Sequence, residues 1–142
     1  MEQRLSLVTL GVADLARSTA FYEALGWQRG FRAAQGVTFF QLGGIVLSLW
    51  SEQSLAEDAG VPDRTDRGFR GIALAHNVRS RAEVDTVVAA VEEAGGAVSK
   101  APEEKVWGGY GAYVADPDGH LWEIAWNPGF EIGADGSIRL PD

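Results

Sequence analysis

The sequence predicts an α+β domain built from two copies of one unit, each a strand, a helix and a two-stranded hairpin. Three observations carry that expectation. Apolar and polar residues alternate in short runs, apolar residues recur at helical spacing behind capping residues, and the same order appears twice. Val12 and Val78, Gly26 and Gly95, and Gly44 and Gly119 lie 66, 69 and 75 residues apart, a drift that grows only across connections.

The first unit opens with the alternating strand Leu5 to Val12. Asp14 is placed as a helix N-cap, Leu15, Ser18, Tyr22 and Leu25 follow at helical spacing, and Gly26 is the stop. Val37 to Leu42, the Gly43-Gly44 turn and Ile45 to Trp50 then read as a hairpin. The second unit repeats the order with a strand at Gly71 to Val78. Ser80 and Glu83 have the spacing of a capping box, Val84, Val87, Val88 and Val91 mark one helical face, and Gly95-Gly96 closes it. Gly111 to Ala115, the turn Asp116-Pro117-Asp118-Gly119 and His120 to Trp126 make the second hairpin. One domain spanning 1–142 is expected, with module one at about 5–50, a polar linker at 51–70, module two at about 71–128 and a terminal hairpin at 129–142.

Composition removes several function classes. Twelve basic against 20 acidic residues give a net charge of −8, which disfavours nucleic-acid and anionic-membrane partners because both need a basic footprint. No apolar run approaches the length of a membrane span, and the N-terminus is patterned as a strand rather than a signal peptide. The absence of cysteine excludes disulfides, thiolate metal sites and a cysteine nucleophile, and a cytoplasmic location fits it.

Chemistry points first to Glu123. In the strand Leu121 to Trp126 it is a lone carboxylate among apolar neighbours, and a buried carboxylate needs a partner or a use. Alternation puts Leu121, Glu123 and Ala125 on one face and Trp122, Ile124 and Trp126 on the other, where they suit packing under the helix.

The segments Leu10 to Trp27 and Asp116 to Pro128, with the duplicated plan around them, resemble the vicinal oxygen chelate superfamily. That superfamily includes glyoxalase I, bleomycin-resistance proteins, fosfomycin-resistance enzymes and extradiol dioxygenases. The resemblance spans about Leu5 to Pro128. It implies two βαβββ modules forming a curled mixed sheet around a cleft, usually completed in a homodimer. In metal-using members each module offers one ligand from its first strand, normally His, and one from its last strand, normally Glu. Those positions here are Leu7, Ser48, Ala73 and Glu123. Leucine and alanine cannot coordinate a cation, and a neutral serine hydroxyl is a feeble ligand. No metal or other cofactor is therefore expected, and a divalent metal would require a different alignment of ligand positions.

The remaining candidates are aromatic or basic. Trp50 shares parity with Ser48, and Trp107 and Tyr110 lie in a glycine-rich segment that can bring rings close to a ligand. With Leu7, Ser48, Ala73 and Glu123 they form the expected ligand-binding set. Phe39 and Phe40 supply one ring to each face; Trp27, Trp122 and Trp126 read as core or interface. His76 is expected under the helix or at the strand end, His120 at the surface, and Arg17, Arg70 and Lys105 as solvated charges. No Ser-His-Asp triad follows from the spacing, and the glycine pairs match no phosphate-binding pattern.

Three functions compete. The first is a metal-independent protein that sequesters or carries an aromatic or cationic small molecule. The second is a lyase of the lactoylglutathione-lyase kind, an isomerase or a dioxygenase, with Glu123 as ligand or general base. The third is a dimeric scaffold without chemistry.

Overall fold

The computed structural model describes residues 1, 3, 5–60 and 71–140, and the chain divides into two compact units, Met1–Gly68 and Phe69–Asp142. The first unit holds β1 (Leu7–Val12), α1 (Leu15–Ala24), β2 (Arg29–Gly30), β3 (Val37–Leu42), β4 (Ile45–Ser51) and α2 (Glu52–Ala59). The second holds β5 (Leu74–Val78), α3 (Arg81–Glu93), β6 (Ala97–Glu104), β7 (Tyr110–Ala115) and β8 (Leu121–Trp126), followed by β9 (Glu131–Ile132) and β10 (Ile138–Arg139). Each unit carries one open four-stranded mixed sheet, ordered β1-β4-β3-β2 in the first and β5-β8-β7-β6 in the second. The first strand of each runs parallel to the last, and the last two strands form an antiparallel hairpin. The α+β class and the paired βαβββ plan are borne out, as two sheets rather than one.

Residue patterning alone missed the strand that follows each helix. β2 is only two residues long, and β6 reads AVSKAPEE, with a proline, a lysine and two glutamates. Both lie at sheet edges, where charge and proline are tolerated and guard the unpaired backbone. The polar linker also begins with a helix that patterning did not show: its first residues form α2, capped by Ser51 and stopped by Gly60 at φ 66°. The rest of it, residues 61–70 with Arg70, lies outside the described residues.

The two main helices are bounded by the same devices. Asp14 accepts a hydrogen bond from the Arg17 amide, and Ser80 accepts one from the Glu83 amide. The Glu83 carboxylate reaches back to the Arg79 amide at 2.8 Å, one residue before the cap. Each helix ends in a Schellman motif. Gly26 and Gly95 have φ of 89° and 96°, which favours glycine. The Trp27 and Gly96 amides return to the Tyr22 and Val91 carbonyls. In the first unit the motif also brings the Trp27 ring onto Tyr22, stacked at 5.0 Å.

Each core lies between helix and sheet. In the first unit Tyr22 and Phe40 are buried with their rings 5.7 Å apart, joined by Leu10, Val12, Leu47 and Leu49. A buried hydrogen bond of 2.9 Å between Thr19 on α1 and Thr38 on β3 fixes the helix to the sheet. In the second unit Val84, Val88 and Val91 of α3 are buried with Ala112, Val114 and Ile124. Burying a Val, Leu or Phe side chain stabilises by roughly 1.5–3 kcal/mol, so these layers hold each module together.

Candidate functional site

The helix-covered face of each sheet is filled, so the functional candidates belong to the opposite, open face. Which residues reach it follows from register. In the second unit the Tyr110 hydroxyl donates to Asp85 of α3 at 3.0 Å, and the Arg81 guanidinium lies 4.3 Å over the Trp126 ring. Those contacts assign Tyr110 and Trp126 to the helix side. By alternation Tyr113 on β7 and Glu123 on β8 project from the open side.

Four residues line up there across the four strands. Ala75 on β5 pairs with Glu123, Glu123 with Tyr113, and Tyr113 with Lys100 on β6. The Tyr113 phenol and the Glu123 carboxylate face each other across this strand pair. Burial pushes the Tyr113 phenol above its ordinary pKa, and the neighbouring Glu123 carboxylate pushes it further. Lys105 follows β6, its side chain 10% exposed and its ammonium 5.6 Å over the Tyr113 ring. Glu103 accepts from Lys100 at 2.5 Å and from Lys105 at 3.2 Å, and both ammoniums hold its carboxyl below the usual range.

The equivalent row of the first unit is Thr9, Ser48, Phe39 and Gly30. It carries no charge. Ser48 is buried and shares a 2.6 Å hydrogen bond with Thr9. Trp50, two residues on, is half-buried on the same face, and Leu7 is exposed two residues before Thr9. A Cβ on Gly11, which pairs with Trp50, would lie 3.1 Å from the Glu52 Cα, so the first turn of α2 covers that end of β1. Phe31 has φ 39°, a strained value for a phenylalanine, and its exposed ring lies 6.3 Å from Phe39.

Each unit carries its own part of the expected ligand-binding set. Leu7, Ser48 and Trp50 share the open face of the first unit. Glu123 stands on the open face of the second, with Ala73 exposed just before β5. Tyr110 lies on the helix side, turned there by strand alternation and held by Asp85. Trp107 sits half-exposed in the Lys105–Gly108 turn with its ring folded onto Gly109. Tyr113 and Phe31 escaped the sequence reading, and Lys105, expected as a solvated charge, is largely enclosed, its side chain 10% exposed. For Tyr113 a signal existed, since Tyr113 and Glu123 are equidistant from Asp118 in the turn.

The histidines stand apart from this arrangement. His76 pairs with Ile124 on the edge strand β5 and is exposed, yet local burial lowers its pKa against the opposing charge of Glu83. His120 is half-buried rather than superficial, and its amide donates to Asp116 at 2.9 Å. Asp116, buried, also accepts from the Asp118 amide, so its carboxylate serves the turn.

Residues 4–124 match the family model of the Glyoxalase/Bleomycin resistance protein/Dioxygenase superfamily. The chain belongs to that superfamily. A glyoxalase-related enzyme from Fulvimarina pelagi is 43% identical, with a TM-score of 0.90 and coverage of 99% of this chain and 100% of that one. A hypothetical protein from S. aureus is 31% identical, with a TM-score of 0.77 and coverage of 89% and 95%. A glyoxalase/bleomycin resistance protein/dioxygenase from Nocardioides is 26% identical, with a TM-score of 0.73 and coverage of 94% and 91%. No curated protein matches the sequence significantly.

For a member of this superfamily the donor set does not fit a metal. Of the four positions that the resemblance assigns to ligands, two are aliphatic, Ser48 is bonded to Thr9, and Glu123 is a single carboxylate facing the Tyr113 phenol. Among the described residues no three His, Asp or Glu side chains gather in a metal-holding group. No helix among them is long and apolar enough to cross a membrane.

Proposed function

We propose that this superfamily member is a metal-independent small-molecule-binding protein that holds an aromatic ligand on its open sheet faces, acting as a homodimer in the cytoplasm. The observation that supports this reading is what faces the two polar residues at the expected ligand positions: the Thr9 hydroxyl bonds Ser48, and the Tyr113 phenol faces Glu123. Trp50 and the Phe31–Phe39 pair support an aromatic ligand. A purely cationic ligand is less favoured, because Lys100 and Lys105 flank Tyr113. The test is titration of intrinsic tryptophan fluorescence with a panel of aromatic compounds, with and without chelator. Saturable quenching that ignores chelator and weakens in Trp50→Ala or Glu123→Gln is expected; an unresponsive protein contradicts the reading.

One observation favours an enzyme instead: the 43% identical protein from F. pelagi is described as a glyoxalase-related enzyme. Glu123 would then act as the general base. Turnover of a hemithioacetal or catechol that Glu123→Gln abolishes establishes that reading.

A further inference from the structure

We propose that Lys105 and Glu123, placed around the Tyr113 phenol, form a two-ended recognition site for an aromatic acid bearing a hydroxyl or amino substituent. The inference rests on the small-molecule-binding reading and names the ligand class for the second module's open face.

The argument starts from how charge is distributed. Glu103 is the carboxylate that meets both Lys100 and Lys105, so this end of the row has two ammoniums and one carboxylate, a local excess of one positive charge. The excess occurs in a chain of net charge −8, where general electrostatics repel anions. Lys105 is the more enclosed of the two lysines, with a side chain 10% exposed against 55% for Lys100. Enclosing an ammonium is costly unless it is paired, and Lys105 shares its carboxylate partner. A ligand carboxylate supplies the missing charge.

The other end has the opposite character. The Glu123 carboxylate faces the Tyr113 phenol across the β7–β8 pair, and a carboxylate has about four lone-pair sites. Its spare acceptor capacity suits an O–H or N–H of a ligand. The phenol beside it offers a flat face to an aromatic body. A purely structural charge network would place Glu123 in an ion pair; here it faces a phenol. The first module repeats the row without any charge, as Thr9, Ser48, Phe39 and Gly30, so this recognition belongs to the second module alone.

The test is calorimetric titration of the full chain with 3-hydroxybenzoate, 4-hydroxybenzoate, benzoate and phenol. At least one hydroxybenzoate is expected to bind about tenfold or more tighter than both benzoate and phenol, the scale of one charge-assisted hydrogen bond. Lys105→Met should reduce that ligand to the level of phenol, Lys105→Arg should largely retain it, and Glu123→Gln should reduce it to the level of benzoate. Equal binding of all four probes overturns this inference and leaves the aromatic-binding reading standing. Failure of every probe overturns both. Because the comparison among probes is made on the wild-type chain, it holds even if a variant fails to fold.

Discussion

Thr9 Oγ1 and Ser48 Oγ lie 2.6 Å apart across the parallel pair β1–β4, at the register position where the second module sets Ala75 against Glu123. The duplicated fold thus meets one geometric position with two chemistries. In the first module the polar groups satisfy each other. In the second, the carboxylate is set between Ala75 on β5 and the Tyr113 phenol on β7.

The hydroxyl pair makes Ser48 structural. Ser48→Ala should lower stability by about 1 kcal/mol, the usual net value of one hydrogen bond, while leaving aromatic binding on the second module's open face intact. Denaturant unfolding with parallel fluorescence titration checks both halves; a loss of binding at unchanged stability would contradict the assignment.

The Thr19–Thr38 bond should behave as a coupled pair. Thr38→Val strands the buried Thr19 hydroxyl and should cost about 1–3 kcal/mol, whereas adding Thr19→Val should recover part of that loss. A double-mutant cycle by urea unfolding measures the coupling, and simple additivity would count against a shared bond.

At Gly109 the constraint is steric. A Cβ there would lie 1.7 Å from the Trp107 ring and 2.5 Å from the Trp126 carbonyl. The ring can swing away but the β8 backbone cannot, so Gly109→Ala should cost about 1–3 kcal/mol and increase Trp107 exposure. Acrylamide quenching of tryptophan fluorescence reads the exposure, and unchanged quenching and stability would refute the packing argument.

Tyr113 sets a pH dependence. The folded protein holds its proton to higher pH than an unfolded tyrosine, whose pKa is about 10. Unfolding above that pH therefore releases a proton. The stability tied to Tyr113 is full below about pH 10 and is lost as pH rises through the folded-state value. Glu123→Gln removes the carboxylate charge beside the phenol, so the phenol should titrate lower, with burial still holding it above the ordinary value. Near-ultraviolet difference absorbance, with Tyr113→Phe to assign the signal, follows the titration.

Much of this was legible in the chain because it depends on local chemistry. Asp14 and Ser80 cap helices through their own side chains, and Gly26 and Gly95 stop them through a backbone conformation that favours glycine. Phe39 and Phe40 could be split between two faces but not assigned, since alternation has no sign until a helix covers one side. β2 and β6 were hidden because an edge strand needs little apolar alternation. Tyr110 and Trp107 drew attention through their glycines, yet Asp85 claims the first and the second folds onto its own hairpin. The cluster of Glu123, Tyr113, Lys100 and Lys105 depends on pairing across three strands, including two register shifts in β6, and no local pattern encodes that.

The central claim is that paired side chains have replaced the metal site expected of this superfamily. Elemental analysis of untagged protein, followed by calorimetric titration with Ni²⁺, Zn²⁺, Mn²⁺ and Fe²⁺, tests it most directly. The account predicts no stoichiometric metal and no binding tighter than about micromolar, roughly −8 kcal/mol. One equivalent of tightly held metal per chain would contradict it and restore a metal-dependent enzyme as the leading reading.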